Sequence, residues 1–202
     1  MMDDILIAFD SDPGNELKNF FESCADEAKQ MCANNGRGYV SLFPPQLTNS
    51  ELISKMDNIK VCIVAAHGKP DGIVNEAGEE FISTRTTNSA LSGKFLYTIS
   101  CSTAIDLLPH LLSIGLKLYV GYNNVFKVGE HESIFMECAM SGIKSFISGK
   151  NFEDAKEDMK STFNRGLDEL ENLNFIESLL LYDDMESLVF EGNGNTSLKD
   201  LE

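Results

Sequence analysis

Two apolar runs in this sequence each end at a side chain that can carry chemistry. The run "CIVAAHGK" leads into His67 and Gly68, and the later run "FLYTISC" stops at Cys101. Near-continuous apolar runs of this length are typical of strands buried on both faces of a parallel sheet. Ligands bind at the carboxyl ends of such strands, where neighbouring strands lie about 4.8 Å apart. The sequence therefore predicts that His67 and Cys101 meet at one edge of a sheet.

The rest of the chain alternates between strand-like and helix-like segments. Strands are predicted at 5–9, 39–43, 61–66, 95–100, 118–122 and 187–191, with a small hairpin in "GIVNEAGEEFIST". Helices are predicted at 16–33, 49–56, 103–114, 130–142, 152–173 and 175–182. This alternation predicts an α/β fold with a mostly parallel sheet covered on both faces. We expect a single domain over residues 1–193 and a flexible tail over 194–202.

Charge and cysteine usage restrict the classes of partner. The 202 residues include 16 basic and 32 acidic ones, a net charge of −16, which repels nucleic acid and anionic membranes. We interpret the acidic excess as favouring solubility over an acidic docking face for a basic partner. Apolar runs are shorter than a membrane span, and a cytoplasmic protein is predicted. Five cysteines without a CxxC pair indicate neither a disulfide framework nor a zinc site, and no metal or cofactor is expected.

The residues around the two strand ends suit thiol chemistry. A helix predicted from Thr103 would place its N-terminus near Cys101, where its partial positive charge would favour the thiolate. Gly68 has no side chain to block a substrate carbonyl, and the N–H groups of Gly68 and Cys101 are predicted to form an oxyanion hole. His67 would protonate the leaving amine and then activate water.

Four segments together resemble the caspase-like cysteine peptidases of the CHAT and separase type: "AAHGKPDGI", "LYTISCSTA", "KLYVGYNNVF" and "ESLVFEGN". In that group a His-Gly ends one strand, a cysteine motif rich in small residues ends the next, and a glycine-containing strand follows. The resemblance covers residues 1–193 and implies a caspase-like three-layer α/β/α sandwich. It also implies a cysteine endopeptidase with His67 and Cys101 as the catalytic dyad, acting on a protein or peptide substrate. Because the compact domain has no visible sensor, we expect a protein partner to control it. Ser100 departs from the Ala or Gly that often precedes the cysteine in this group.

Asp10 and Asp12 allow three interpretations. Within "DSDPGN" they are turn formers that cap the next helix. They are also candidates for a substrate-binding pocket that accepts a basic side chain, which the scarcity of arginine at strand ends favours over an acidic preference. In the third interpretation they form the Asp-x-Asp pair of a Mg-dependent phosphatase, which is a distant alternative. A catalytically silent caspase-like interaction module is the nearer alternative to a peptidase. The other cysteines are expected to be core residues.

Overall fold

The computed structural model describes residues 3–87 and 89–201; the outer limits of the predicted domain and tail, at residues 1 and 202, lie outside it. The strands are β1 (Asp3–Phe9), β2 (Gly38–Leu42), β3 (Val61–Ala65), β4 (His67–Lys69), β5 (Gly72–Val74), β6 (Glu80–Ser83), β7 (Phe95–Ile99), β8 (Leu118–Tyr122) and β9 (Leu188–Gly192). The α-helices are α1 (Lys18–Asn34), α2 (Asn49–Lys55), α3 (Leu107–Ser113), α4 (Glu132–Ile147), α5 (Phe152–Leu173) and α6 (Phe175–Ser187).

Six strands form the central sheet, in the order β2-β1-β3-β7-β8-β9. All adjacent pairs are parallel except β8 with β9, which runs antiparallel at one edge. Strands β3 and β7 are direct neighbours, with Val61 opposite Phe95 and Ala65 opposite Ile99. The predicted α/β fold with a mostly parallel sheet is confirmed, and the two apolar runs end side by side.

Alternating side chains of the sheet build two cores, one on each face. Ile7, Ile63 and Tyr97 belong to the core that also contains side chains of α1, α4, α5 and α6. The intervening residues Cys62 and Leu96 belong to the other core, together with side chains of α2 and α3. Because successive side chains of a strand point to opposite faces, this pattern places helices on both sides of the sheet. The result is the predicted three-layer α/β/α sandwich.

The predicted hairpin is part of a second, three-stranded antiparallel sheet. Its strand order is β4-β5-β6, with His67 opposite Val74 and Gly72 opposite Ser83. The prediction omitted β4, which begins at His67 after only one residue, Ala66, beyond the end of β3. His67 therefore lies where the chain leaves the large sheet and enters the small one.

The C-terminal segment differs from the predicted flexible tail. Leu198 and Leu201 are buried in the core beside α5 and α6. The Phe152 N–H donates to the Thr196 carbonyl at 2.9 Å, and Ser197 and Asp200 cap a short 3-10 turn reciprocally. The segment was predicted to be flexible because its composition is mostly polar. Its two leucines nevertheless reach the core. Within the described ranges, no helix has both the length and the apolarity to cross a membrane.

Candidate active site

The predicted pair, His67 and Cys101, lies at the carboxyl ends of β3 and β7, each two residues beyond the last ladder position. The backbones of the two segments touch: a Cβ atom added to Gly68 would lie 2.3 Å from the Cys101 carbonyl oxygen and 2.5 Å from its nitrogen. Only glycine permits this approach. Both residues line a small cleft whose walls include Leu17, Phe21 and Phe126.

Two side chains that the sequence analysis did not select hold the imidazole. His67 Nε2 lies 3.1 Å from Asn15 Oδ1 and 3.3 Å from Glu76 Oε2. The ring also meets Phe21 edge to face, with 5.6 Å between the ring centroids. Asn15 is buried, and its Oδ1 accepts a further hydrogen bond from the Leu17 N–H at 2.8 Å. These contacts fix the ring orientation and leave Nδ1 free of them.

Weak signals for both residues are present in the sequence. Asn15 belongs to the turn "DSDPGN" that follows β1, and β1 is the neighbour of β3. Glu76 belongs to the turn of the predicted hairpin, which follows His67 directly in the chain. Turns that leave the carboxyl ends of neighbouring strands converge on the same edge of the sheet.

Cys101 is half-buried, and its thiol donates to the Phe126 carbonyl at a distance of 3.8 Å. Burial raises the pKa of the thiol above that of a free cysteine. Hydrogen bonds from the backbone N–H groups of Cys101 and Gly68 lower that pKa, but by less than burial raises it. The two N–H groups predicted to hold an oxyanion therefore lie beside the sulfur.

The predicted helix start at Thr103 is wrong. Residues 101–106 form turns and α3 begins at Leu107, so no helix N-terminus lies at the sulfur, and the pKa of Cys101 is raised rather than lowered. Ser102 adopts φ 60°, a left-handed conformation that interrupts a helix, and its N–H donates to the Asn124 carbonyl at 2.9 Å. Uncommon backbone conformations of this kind cluster at functional sites.

Residues 123–131, here called the flanking loop, contact both the Cys101 turn and α6. The Lys127 N–H donates to Asp184 Oδ1 at 2.9 Å, and the Asn123 N–H donates to the Ser187 carbonyl at 2.9 Å. Asp184 is completely buried, and burial raises its pKa to about 8. Its carboxylate in turn raises the pKa of Cys101, although less than burial does. The electrostatics of the thiol thus depend partly on α6.

Asp10 and Asp12 follow β1, in the segment that leads to Asn15, and their contacts are those of a turn. Asp10 is completely buried, and its Oδ1 accepts the Asp12 N–H at 3.1 Å. Its Oδ2 has no hydrogen-bond partner in the part of the chain that the structure describes. Asp12 is half-exposed, and its Oδ1 accepts the Gly14 N–H at 2.8 Å. Of the two carboxylates, only that of Asp12 is open to solvent.

The remaining cysteines are unpaired and buried, as expected of core residues: Cys24, Cys32, Cys62 and Cys138. His110 contacts the Thr87 carbonyl, and His131 pairs with Glu177. Across residues 3–87 and 89–201, no group of three or more His, Cys, Asp or Glu side chains is arranged to hold a metal ion.

Comparison with known proteins bears on the fold of the chain. No protein-family model matches the chain, and no curated protein matches it in sequence. Among solved structures it is similar to the Arg-specific cysteine proteinase gingipain R, with 10% identity, a TM-score of 0.69, and coverage of 96% of this chain and 47% of that one. It is also similar to the complex of Porphyromonas gingivalis RgpB pro- and mature domains, with 11% identity, a TM-score of 0.68, and coverage of 95% and 47%.

The chain therefore has the caspase-like fold of the gingipain proteinases and spans about half their length. Identities this low establish the fold alone, since one fold hosts many functions.

Proposed function

We propose that the protein is a cysteine endopeptidase of the caspase-like class, related to the CHAT and separase type, with His67 and Cys101 as its catalytic dyad. The observation that carries the proposal is the backbone contact of Gly68 with Cys101. That contact brings an imidazole and a thiol together at the carboxyl edge of a sheet whose fold is shared with cysteine proteinases.

The contacts support the following division of roles. Nε2 of His67 is engaged by Asn15 and Glu76, so Nδ1 takes the proton of the Cys101 thiol. Because the pKa of the thiol is raised, this transfer accompanies attack on the substrate carbonyl instead of preceding it. The N–H groups of Gly68 and Cys101 stabilise the oxyanion. The imidazolium then protonates the leaving amine, and the neutral imidazole activates the water that hydrolyses the thioester.

The charges beside His67 favour a substrate with a basic residue before the cleaved bond. Asp12 and Glu76 approach the same glycine: a Cβ on Gly14 would lie 3.3 Å from Asp12 Oδ1 and 3.8 Å from Glu76 Cγ. A lysine or arginine of the substrate would pair with these carboxylates at the mouth of the cleft. One protein of similar fold is described as Arg-specific. Asp10 contributes by holding the Asp12 turn in place.

A catalytically silent module that binds a protein partner is the second candidate. It is favoured by the raised pKa of Cys101, because burial of the sulfur favours the unreactive thiol. The phosphatase alternative gains no support, because a phosphoryl-accepting carboxylate must reach its substrate and Asp10 is completely buried.

An active-site-directed reagent separates the two candidates. A peptidyl thiol-reactive inhibitor ending in arginine should give a single adduct, mapped to Cys101 by mass spectrometry. Cys101→Ala should abolish both the adduct and peptide hydrolysis with the fold retained. The matched control Cys62→Ala should keep both and lose only about 1–2 kcal/mol of stability, since it deletes one buried atom. Hydrolysis by Cys101→Ala at the wild-type rate would refute the nucleophile, and absence of adduct and hydrolysis with every peptide would favour the silent module.

Specificity is tested with fluorogenic peptides ending in Arg, Lys, Asp or Leu. We expect the basic peptides to be preferred, and Asp12→Asn or Glu76→Gln to reduce that preference on the order of tenfold, as for loss of a partly desolvated charge pair. Glu79→Gln, an exposed change in the same hairpin, serves as the control. A basic preference that Asp12→Asn, Glu76→Gln and Asp10→Asn all leave intact would remove these carboxylates from the pocket.

A further inference from the structure

One helix exposes an apolar face. The side chains of Leu173, Phe175, Ile176, Leu179 and Tyr182, here called the α6 patch, have exposed fractions from 46% for Tyr182 to 70% for Ile176. The spacing of Phe175, Ile176, Leu179 and Tyr182 puts them on one side of α6, and Leu173 is the last residue of α5. Single exposed apolar residues are ordinary, but five within residues 173–182 form a surface of the kind that marks interaction sites.

Local fraying does not explain this exposure, because the opposite face of α6 is firmly fixed. Leu181 and Asp184 are completely buried. Asn174 caps the helix, its Oδ1 accepting the N–H groups of Ile176 and Glu177. The patch is therefore a rigid, preformed surface, which reduces the entropy lost on binding.

The unpaired charges around the patch are acidic, since Lys127 beside α6 is already paired with Asp183. The sequence contains no Lys or Arg between Arg165 and Lys199, whereas the last turns of α5 carry exposed Asp168, Glu169 and Glu171. None of these three acids forms an ion pair with any described residue. Earlier in α5 the acids are neutralised locally, as in the pairs Glu153 with Lys156 and Glu157 with Lys160. The unneutralised acids are thus concentrated beside the apolar surface.

We propose that the α6 patch docks a basic amphipathic helix of a partner protein. Apolar side chains of the partner cover Ile176 and Leu179, and its Lys or Arg residues meet the acids of α5. This is the docking of one amphipathic helix against the apolar face of another, with charge complementarity added. A second copy of this chain fits poorly, since it would bring the same acids and a net charge of −16 to the contact. Docking is a binding function separate from the proposed peptidase activity.

The test uses the full chain and a synthetic probe, a fluorescent amphipathic Leu/Lys peptide of about four helical turns, or roughly 14 residues. Ile176→Ser and Leu179→Ser should each weaken binding about tenfold, as expected for interface anchors. Leu112→Ser, which alters an exposed leucine on α3, is the matched control and should leave affinity unchanged. Glu169→Gln with Glu171→Gln should weaken binding at low salt more than at high salt, whereas Asp57→Asn should not. All these positions are on the surface, and thermal unfolding verifies that each variant is folded.

Two results would overturn the proposal. If both patch variants bind the peptide as tightly as Leu112→Ser does, the peptide adheres to acidic surface elsewhere. If sedimentation shows a wild-type dimer that Leu179→Ser dissociates, the patch is an interface between copies of this chain. Neither result depends on hydrolysis, so the docking proposal and the peptidase proposal fail independently.

Discussion

Cys62 lies within β3 and Cys101 lies just beyond the neighbouring strand β7, and their surroundings differ sharply. Cys62 pairs with Leu96 in the middle of the β3–β7 ladder, is completely buried, and lies 3.6 Å from the Met56 sulfur. Burial raises the pKa of its thiol to about 12. Cys101 lies just beyond the same ladder, half-exposed, with backbone N–H groups and an imidazole nearby. Position along the strand, rather than residue type, decides which thiol is open to chemistry.

The largest expected difference between the two thiols is their rate of alkylation. With iodoacetamide at mildly alkaline pH, Cys101 should react roughly a thousandfold faster than Cys62 or more. Cys62 reacts only when the domain opens, which for a typical domain requires about 5 kcal/mol or more. Peptide mapping over a time course gives both rates. The control is the same reaction in concentrated denaturant, where the two rates should converge. Comparable rates in the native protein would contradict the burial account of Cys62.

The strand ends could be predicted from sequence because both of their signals are local. An apolar run and the polar residue that stops it are adjacent in the chain, so the edge of the sheet follows once the strands are parallel. The contacts of Asn15 and Glu76 with His67 could not be predicted in the same way. They depend on how two turns fold over the site, and the sequence carries no periodicity for a turn.

The start of α3 was mispredicted for a similar reason. Ser102 has the uncommon φ of 60°, which glycine signals in a sequence but serine does not. The helical spacing of apolar residues in 103–114 therefore predicts a helix that includes part of the turns at 101–106. The prediction that a helix N-terminus favours the Cys101 thiolate is wrong for the same reason, because α3 begins farther along the chain, at Leu107.

The contact between the two strand ends can be broken at Gly68. A Cβ there would lie 2.3 Å from the Cys101 carbonyl oxygen, so Gly68→Ala must push β4 and the Cys101 turn apart. We expect a loss of about 2–4 kcal/mol in the free energy of unfolding, as for severe overpacking, and loss of the inhibitor adduct. Urea unfolding and mass spectrometry measure the two effects.

Gly36→Ala is the matched control for that change. Gly36 has φ 61° and no atoms within 4 Å of an added Cβ, so this substitution tests backbone strain without a steric clash. We expect it to cost about 1 kcal/mol and to leave the adduct intact. If Gly68→Ala is no more disruptive than Gly36→Ala, the strand ends are not in contact as described.

The smallest effect concerns the charge of Asp184, which acts on one thiol and not on the other. Asp184 raises the pKa of Cys101, whereas the charged group that acts on Cys62 is Lys94, which lowers its pKa. The pKa of Asp184 is about 8, so its carboxylate is ionised over the alkaline range in which Cys101 titrates. Removing that negative charge should therefore move the Cys101 titration to lower pH and leave that of Cys62 unchanged.

Asp184→Asn tests this coupling with little change of shape. The pH profile of Cys101 alkylation should shift downward by less than about one pH unit, because burial remains the larger cause of the raised pKa.

The pH dependence of stability gives a second readout of Asp184. The folded-state pKa of Asp184 lies above its unfolded value, so the wild type loses stability as pH rises from about 4 toward 8. Asp184→Asn should lack that contribution. Asp183→Asn, an exposed neighbour, is the control, and an equal shift with either variant would show that the effect on Cys101 is general surface charge.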